Sequence, residues 1–197
     1  MDIYEPCEDS FLLQKFIRKF ARGYVLDMGT GSGILAQEAA AGKRVVKVFG
    51  VDINEDAIIH CIRTNKSKKI IFAKSNLFSL FRDYKPYRDI KFDCIIFNPP
   101  YLPNDDKAPD IALDGGREGY ELICRFLHES ERWLRPDGKI LLLFSSFTGK
   151  EKLDTFLARN FWEFRDLGKQ HIFFEDLVVY AVTKVPKEKR AVQEHGR

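Results

Sequence analysis

Several short stretches of this 197-residue chain carry residue types at spacings that can do chemistry. The first is Asn98-Pro99-Pro100-Tyr101, which follows the apolar run Phe92-Asp93-Cys94-Ile95-Ile96-Phe97. The run reads as a buried strand, and the two prolines stop it, because proline has no N–H for the ladder and restricts the residue before it. Asn98 then stands at the strand's carboxyl end, the edge where open α/β sheets bind ligands. Its side chain offers one acceptor oxygen and one donor nitrogen. With the Pro99 carbonyl it suits a planar –NH2 group, while Pro100 and Tyr101 complete the substrate side of the pocket and Tyr101 adds an aromatic face. Taken alone, the tetrapeptide reads better as a plain strand-ending turn.

The second stretch is Tyr24-Val25-Leu26-Asp27-Met28 running into Gly29-Thr30-Gly31-Ser32-Gly33, with a helix over 34–41 closed by Gly42. Glycines let the backbone turn tightly beside a ligand, and the following helix presents free N–H groups. The spacing Asp-x-Gly-x-Gly-x-Gly departs from the Gly-x-Gly-x-x-Gly of dinucleotide binders. Asp27 would repel a pyrophosphate and suits a ligand with an ammonium group, such as S-adenosylmethionine; a glycine turn without chemical meaning competes with that reading. Asp52 ends the next apolar strand, 23 residues after Gly29. That is close to the offset of about 20 residues at which a carboxylate accepts from ribose hydroxyls. A third strand over 70–73 leads to Ser75-Asn76-Leu77, where an adenine amine needs a polar partner.

These residues need an alternating α/β frame. Leu12, Leu13, Phe16, Ile17 and Phe20 are spaced as a helix over 9–21, with Asp9 or Ser10 as N-cap. The preceding Tyr4-Glu5-Pro6-Cys7-Glu8-Asp9-Ser10 is unusually acidic, although a capping role would account for it. Asn54 caps a helix with Glu55 and Asp56 in its first turn and Ala57, Ile58, Cys61 and Ile62 on its buried side. Residues 82–91 read as a charged connection and 102–119 as a long functional loop over the site. Leu122, Ile123, Phe126, Leu127, Trp133 and Leu134 set a further helix, a fifth strand covers 139–144, and a helix covers 150–159. Two closing strands over 161–167 and 177–183, joined by a turn over 168–174, are expected as an antiparallel pair at one edge. The third strand belongs at the other edge. Lys68, Lys69 and Lys74 around it either guard that edge or frame a partner strand.

Composition fits a single soluble domain over 1–184 followed by a charged tail over 185–197: 45% of residues are hydrophobic and 31% charged. The net charge of +3 is too mild to call for nucleic acid. No run has signal-peptide or membrane-spanning length, so a cytoplasmic protein without a membrane association is expected. Cys7, Cys61, Cys94 and Cys124 lack Cys-x-x-Cys spacing, and the four histidines show no metal spacing, so reduced thiols and no metal are expected.

The glycine loop with Asp27 and Asp52, together with Asn-Pro-Pro-Tyr after the fourth strand, resembles class I S-adenosylmethionine-dependent methyltransferases acting on planar nitrogen. The leader over 4–10, the segment Asn98-Pro99-Pro100-Tyr101-Leu102-Pro103 and Gly115-Gly116-Arg117 narrow the resemblance to the HemK family, in its short archaeal and eukaryotic branch. The resemblance implies a Rossmann-like sheet of seven mostly parallel strands with an antiparallel strand near one edge and helices on both faces. It also implies N5-methylation of the glutamine in the Gly-Gly-Gln motif of a class I translation release factor. S-adenosylmethionine is the implied cofactor, held by Ser10, Asp27, Gly29, Thr30, Gly31, Asp52, Ile53, Asn76 and Leu77. Position 76 is an acid in many relatives. Asn98 is implied to touch both cofactor and substrate, and a small zinc-binding activator protein to pair with the third strand near 70–73.

A glutamine amide is a poor nucleophile because its lone pair is delocalised into the carbonyl. Two acceptors, the Asn98 oxygen and the Pro99 carbonyl, would take its N–H bonds and aim the lone pair at the methyl group. No ionisable general base is evident, and the proton can leave after transfer. A nucleic-acid methyltransferase acting on an exocyclic base amine uses the same geometry, with Tyr101 stacking a base, but no target-recognition domain or basic aromatic surface is evident. A non-catalytic cofactor-binding subunit is opposed by the intact Asn98 and Tyr101, and a dehydrogenase by the loop spacing.

Overall fold

The structure, a computed structural model, describes residues 6–100, 120–186 and 188–190. Among these, seven strands form one sheet in the order β3-β2-β1-β4-β5-β7-β6. The strands are β1 (Gly23–Met28), β2 (Val45–Asp52), β3 (Ile70–Lys74), β4 (Phe92–Phe97), β5 (Leu134–Ser145), β6 (Trp162–Ile172) and β7 (Glu175–Lys184). β1 to β5 pair in parallel, and β7 runs antiparallel to both of its neighbours. Central parallel strands are covered on both faces, which is why β4 and the second half of β5, from Ile140 to Phe144, carry nearly unbroken apolar runs.

Alternation along β1 divides the core. Leu26 and Met28 join Phe78, Phe81, Phe126 and Trp133 under α4 (Ser79–Asp83) and α5 (Glu121–Trp133). Val25 faces the other way, toward Leu13 and Ile17 of α1 (Glu8–Phe20), Leu35 and Ala39 of α2 (Ile34–Ala40) and Cys61 of α3 (Glu55–Thr64). Asp27, two residues on, shares that second face and is fully buried. On the first face Phe49, Phe81, Tyr87 and Phe92 meet edge to face, and Phe78 stacks on Phe126 and Trp133. α6 (Lys150–Arg159) closes that face with Leu153 and Leu157. Beyond β7, Val185 is buried with its N–H on the Phe161 carbonyl, and Arg190 pairs with Glu131.

The strand order reverses between β1 and β4, and the chain leaves both strands at that crevice on the carboxyl side. Val51, Met28 and Phe97 lie in register across β2, β1 and β4. Their successors Asp52, Gly29 and Asn98 therefore emerge in one row, with Asp52 and Asn98 about 10 Å apart by strand spacing.

Local expectations change in five places. Leu134, expected on the helix, is instead the first residue of β5, which therefore begins ahead of position 139. α1 begins at Glu8 with Cys7 as N-cap and no side-chain cap, so Asp9 and Ser10 lie inside the first turn and are buried. Ile62 is 58% exposed on the outer side of α3 rather than in the core. The connection over 82–91 is more than charged filler, because Tyr87 and Ile90 pack on the core beside the buried Phe81. β6 and β7 extend to a tight turn at Phe173 and Phe174, and both rings are largely exposed.

Gly50 in β2 is a packing requirement that periodicity does not reveal. A Cβ there would stand 2.5 Å from the Phe72 ring and 3.0 Å from Thr30 Oγ1. Gly50→Ala is expected to cost about 1–3 kcal/mol in a thermal or denaturant melt, as overpacking does in a tight core. A melt unchanged from wild type would show that Phe72 gives way freely.

Candidate active site

The loop after β1 is shaped by three left-handed glycines, Gly29, Gly31 and Gly33, at φ of 65°, 51° and 81°. The Thr30 N–H donates to the Val51 carbonyl at 2.9 Å, and the Gly31 N–H donates to Asp52 Oδ2 at 2.9 Å. Behind the loop, the Cys61 thiol donates to the Gly31 carbonyl at 3.2 Å. Burial, with Asp27 and Asp52 adding to it, pushes that thiol up to about 12, so it stays protonated and serves as a donor.

Asp27 lies under this loop. Its Oδ2 accepts from the Thr30 hydroxyl at 2.6 Å, while its Oδ1 is buried with no hydrogen-bond partner among the described residues. Burial raises its carboxyl from 3.8 to about 7, the Thr30 hydroxyl and then the Ala36 N–H at the start of α2 oppose the rise, and the Asp52 charge adds to it. A buried acceptor left open in this way matches a ligand bearing an ammonium group, which would both pair the oxygen and restore the charge. Asp52 Oδ1 takes the Asn54 N–H at 2.9 Å, so both carboxylate oxygens are oriented by backbone donors and each keeps a further lone pair. Ile53 beside it is 50% exposed, an apolar surface suited to a flat ring. These features fit S-adenosylmethionine.

At the end of β3, Ser75 organises the next turn by donating to the Leu77 carbonyl at 2.6 Å and accepting the Leu80 N–H at 3.0 Å. Leu77 is held at φ 47°, buried, in a conformation unusual for a branched residue. Asn76 is exposed, and its Oδ1 accepts from Arg125 Nη2 of α5 at 3.3 Å. Arg125 is a neighbour of this part of the site with no signal in the local sequence.

Asn98 is half-buried past β4, followed by the buried Pro99 and the half-buried Pro100. Its Nδ2 donates to Asp9 Oδ2 at 3.0 Å, and its Oδ1 is buried with no hydrogen-bond partner among the described residues. Ser10, beside Asp9 in α1, is 3% exposed, and its N–H donates to Asp9 Oδ1. The first turn of α1 therefore reaches Asn98 across 89 residues of sequence. Asp9 is a site residue that sequence reasoning took for a helix cap; the acidity of the leader was its one visible signal. Tyr101, the rest of the loop through Gly119, including Gly115-Gly116-Arg117, and the leader residues Tyr4 and Glu5 lie outside the described residues.

Comparison with known proteins agrees with this arrangement. A family model described as the methyltransferase small domain matches residues 8–174. A Methanocaldococcus jannaschii protein, provisionally named a protein N5-glutamine methyltransferase, is 34% identical over 185 residues, which is 90% of each chain. A release factor glutamine methyltransferase of Gloeobacter violaceus is 30% identical over 64% of this chain, which spans 47% of that longer relative. Among solved structures, a chain of the E. cuniculi Mtq2-Trm112 complex, described as responsible for methylation of the termination factor eRF1, superposes with a TM-score of 0.72. It is 25% identical, and the match covers 93% of this chain and 99% of that one.

Proposed function

Since the chain belongs to the methyltransferase small domain family, and is by that membership an S-adenosylmethionine-dependent methyltransferase, we propose that it N5-methylates the Gly-Gly-Gln glutamine of a class I translation release factor in the cytoplasm. The observation that carries this reading is the buried Oδ1 of Asn98, unpartnered among the described residues, beside the proline-terminated end of β4. It is an acceptor waiting for a donor, and a primary amide supplies one.

S-adenosylmethionine supplies the reaction with an electrophilic methyl group on a sulfonium. Asp27 would hold the ammonium end of that molecule, Asp52 the ribose hydroxyls, and Ile53 and Leu77 the purine faces, with Ser10, Gly29, Thr30 and Gly31 shaping the cradle. Asn76, whose Oδ1 accepts from Arg125, would reach the adenine edge. Asn98 Oδ1 and the Pro99 carbonyl each accept one N–H of the glutamine amide, which turns the nitrogen lone pair out of the pocket toward the donor. Pro100 would wall the substrate side. Positioning and acceptor strength do the work, and the proton leaves once the methylated nitrogen has become strongly acidic.

The partner expected at the third strand has a surface to meet. β3 is an edge strand, Ile71 and Ala73 are half-buried along it, and Ile59 and Ile62 of α3 stand 39% and 58% exposed. A small zinc-binding activator adding a strand to β3 would cover all four. Ile62→Asp is expected to weaken that association at least about tenfold, or 1.4 kcal/mol, in calorimetry, with an unchanged melt for the isolated chain. Unaltered affinity would move the partner elsewhere.

The function is tested by transfer of label from methyl-labelled S-adenosylmethionine to a release factor, to duplex DNA and to structured RNA in parallel, with and without the activator. Label is expected on the release factor. Label on nucleic acid alone would transfer the same site to an exocyclic base amine.

A further inference from the structure

We propose that Asp9 is the positioning residue of the reaction: through the bond from Asn98 Nδ2 to its Oδ2 it fixes which end of the Asn98 amide faces the acceptor substrate. The inference rests on the reading of Asn98 as the holder of a primary amide.

An asparagine side chain has two nearly isosteric ends of opposite hydrogen-bonding character, so rotation by half a turn about its last bond exchanges oxygen for nitrogen. A pocket built to accept two N–H bonds fails when the amide is turned, because an NH2 group would face the substrate NH2. Neither Pro99 nor Pro100 has an N–H that could pin the Asn98 oxygen in place. The carboxylate of Asp9 removes the ambiguity. An ionised carboxylate offers acceptors only, so it tolerates the Nδ2 end and rejects the Oδ1 end. The 3.0 Å bond between Asn98 Nδ2 and Asp9 Oδ2 leaves Oδ1 as the buried, open acceptor.

Asp9 is itself held in place for this. It is 4% exposed in the first turn of α1, and its other oxygen takes the Ser10 N–H. An exposed N-cap would have had no need of such burial. The same bond polarises the Asn98 amide, since donating Nδ2–H to an anion draws electron density toward Oδ1 and strengthens it as an acceptor. Asp9 thereby places negative charge one residue behind the nitrogen on which positive charge develops, without contacting the substrate.

Two measurements test the assignment. In single-turnover kinetics on the release factor, Asp9→Ala is expected to lower kcat by roughly 10- to 100-fold with the cofactor Kd and the substrate KM near wild type. Asp9→Asn, which keeps one acceptor but permits either orientation, is expected to fall between. In the Asn98→Ala background, Asp9→Ala should have no further effect on turnover, because the residue it orients is gone. A packing role alone would give additive losses. A wild-type kcat in Asp9→Ala, or additive losses in the double variant, would overturn the assignment.

The second measurement is independent of the acceptor. The Asn98 side-chain NH2 protons, assigned by their loss in Asn98→Ala, should be shielded from solvent exchange in the wild type and exchange faster in Asp9→Ala. Signals unmoved by Asp9→Ala would overturn the assignment even if the wild-type protein methylated something other than glutamine. Failure of the release factor to be methylated, with the NH2 signals responding to Asp9→Ala, would instead remove the substrate reading and leave the positioning role standing.

Discussion

Asn98→Ala is expected to lower turnover by about 10²–10³-fold, the loss typical of removing one preorganised hydrogen-bonding group from a developing charge. The side chain is truncated at a loop position past β4, outside the hydrophobic core, so the fold should be retained. Cofactor affinity should change by no more than about tenfold, since Asp27 and Asp52 remain. Asn98→Asp is the sharper contrast. It keeps the shape but sets a second carboxylate against Asp9 Oδ2, which now takes the Asn98 Nδ2–H at 3.0 Å. Two carboxylates at that distance cannot both be ionised comfortably. Single-turnover kinetics paired with calorimetric cofactor titration separates the effects, and wild-type turnover in Asn98→Ala would remove Asn98 from the mechanism.

Asp27→Asn should produce the other large effect, and in two opposite directions. In the cofactor-free chain, burial holds the Asp27 carboxyl at about 7 against 3.8 in an unfolded chain. The folded state therefore keeps a proton that the unfolded state has lost between those values. Stability from this group is greatest below about pH 4 and declines as pH rises to about 7, by on the order of 4 kcal/mol in all. The asparagine variant does not titrate, so near pH 8 it should melt higher than the wild type without cofactor, and the difference should vanish toward pH 4. Binding should show the reverse. An ammonium needs the ionised carboxylate, so wild-type cofactor affinity should rise with pH through about 7, whereas the variant should lose about 100-fold in affinity together with that pH step. Wild-type affinity in Asp27→Asn, or an unchanged pH step, would contradict the role given to this carboxyl.

Features written as backbone constraints were the legible ones. Gly29, Gly31 and Gly33 require left-handed conformations, and Pro99 and Pro100 end β4. Sequence therefore locates the crevice on both sides, and it places β3 at one edge of the sheet and the closing antiparallel pair at the other, while the full strand order is read from the structure. Asp52 was legible from its offset along the chain. What stayed hidden depends on contacts distant in sequence. Asp9 has the composition of a helix cap, and only the approach of α1 to the end of β4 turns it toward Asn98. Gly50 looks like any strand glycine until the Phe72 ring is packed over it. Arg125 is one exposed charge among many on α5 until Asn76 comes within reach. Ile62 fits a helical apolar stripe, yet it lies outside the face that the sheet covers, which is what the expected partner at β3 would explain. The turn at Phe173 and Phe174 lacks the usual glycine or asparagine signal, so the last hairpin was read as shorter than it is.

The central claim is that the crevice between β1 and β4 holds a glutamine side-chain amide for methylation, and tandem mass spectrometry of the release factor after incubation with this protein and S-adenosylmethionine tests it most directly. The account predicts a single added methyl group on the side-chain nitrogen of the Gly-Gly-Gln glutamine, absent when that glutamine is replaced. A methyl group on any other side chain, or a release factor that remains unmodified in the presence of the activator while a nucleic acid is methylated, would contradict it.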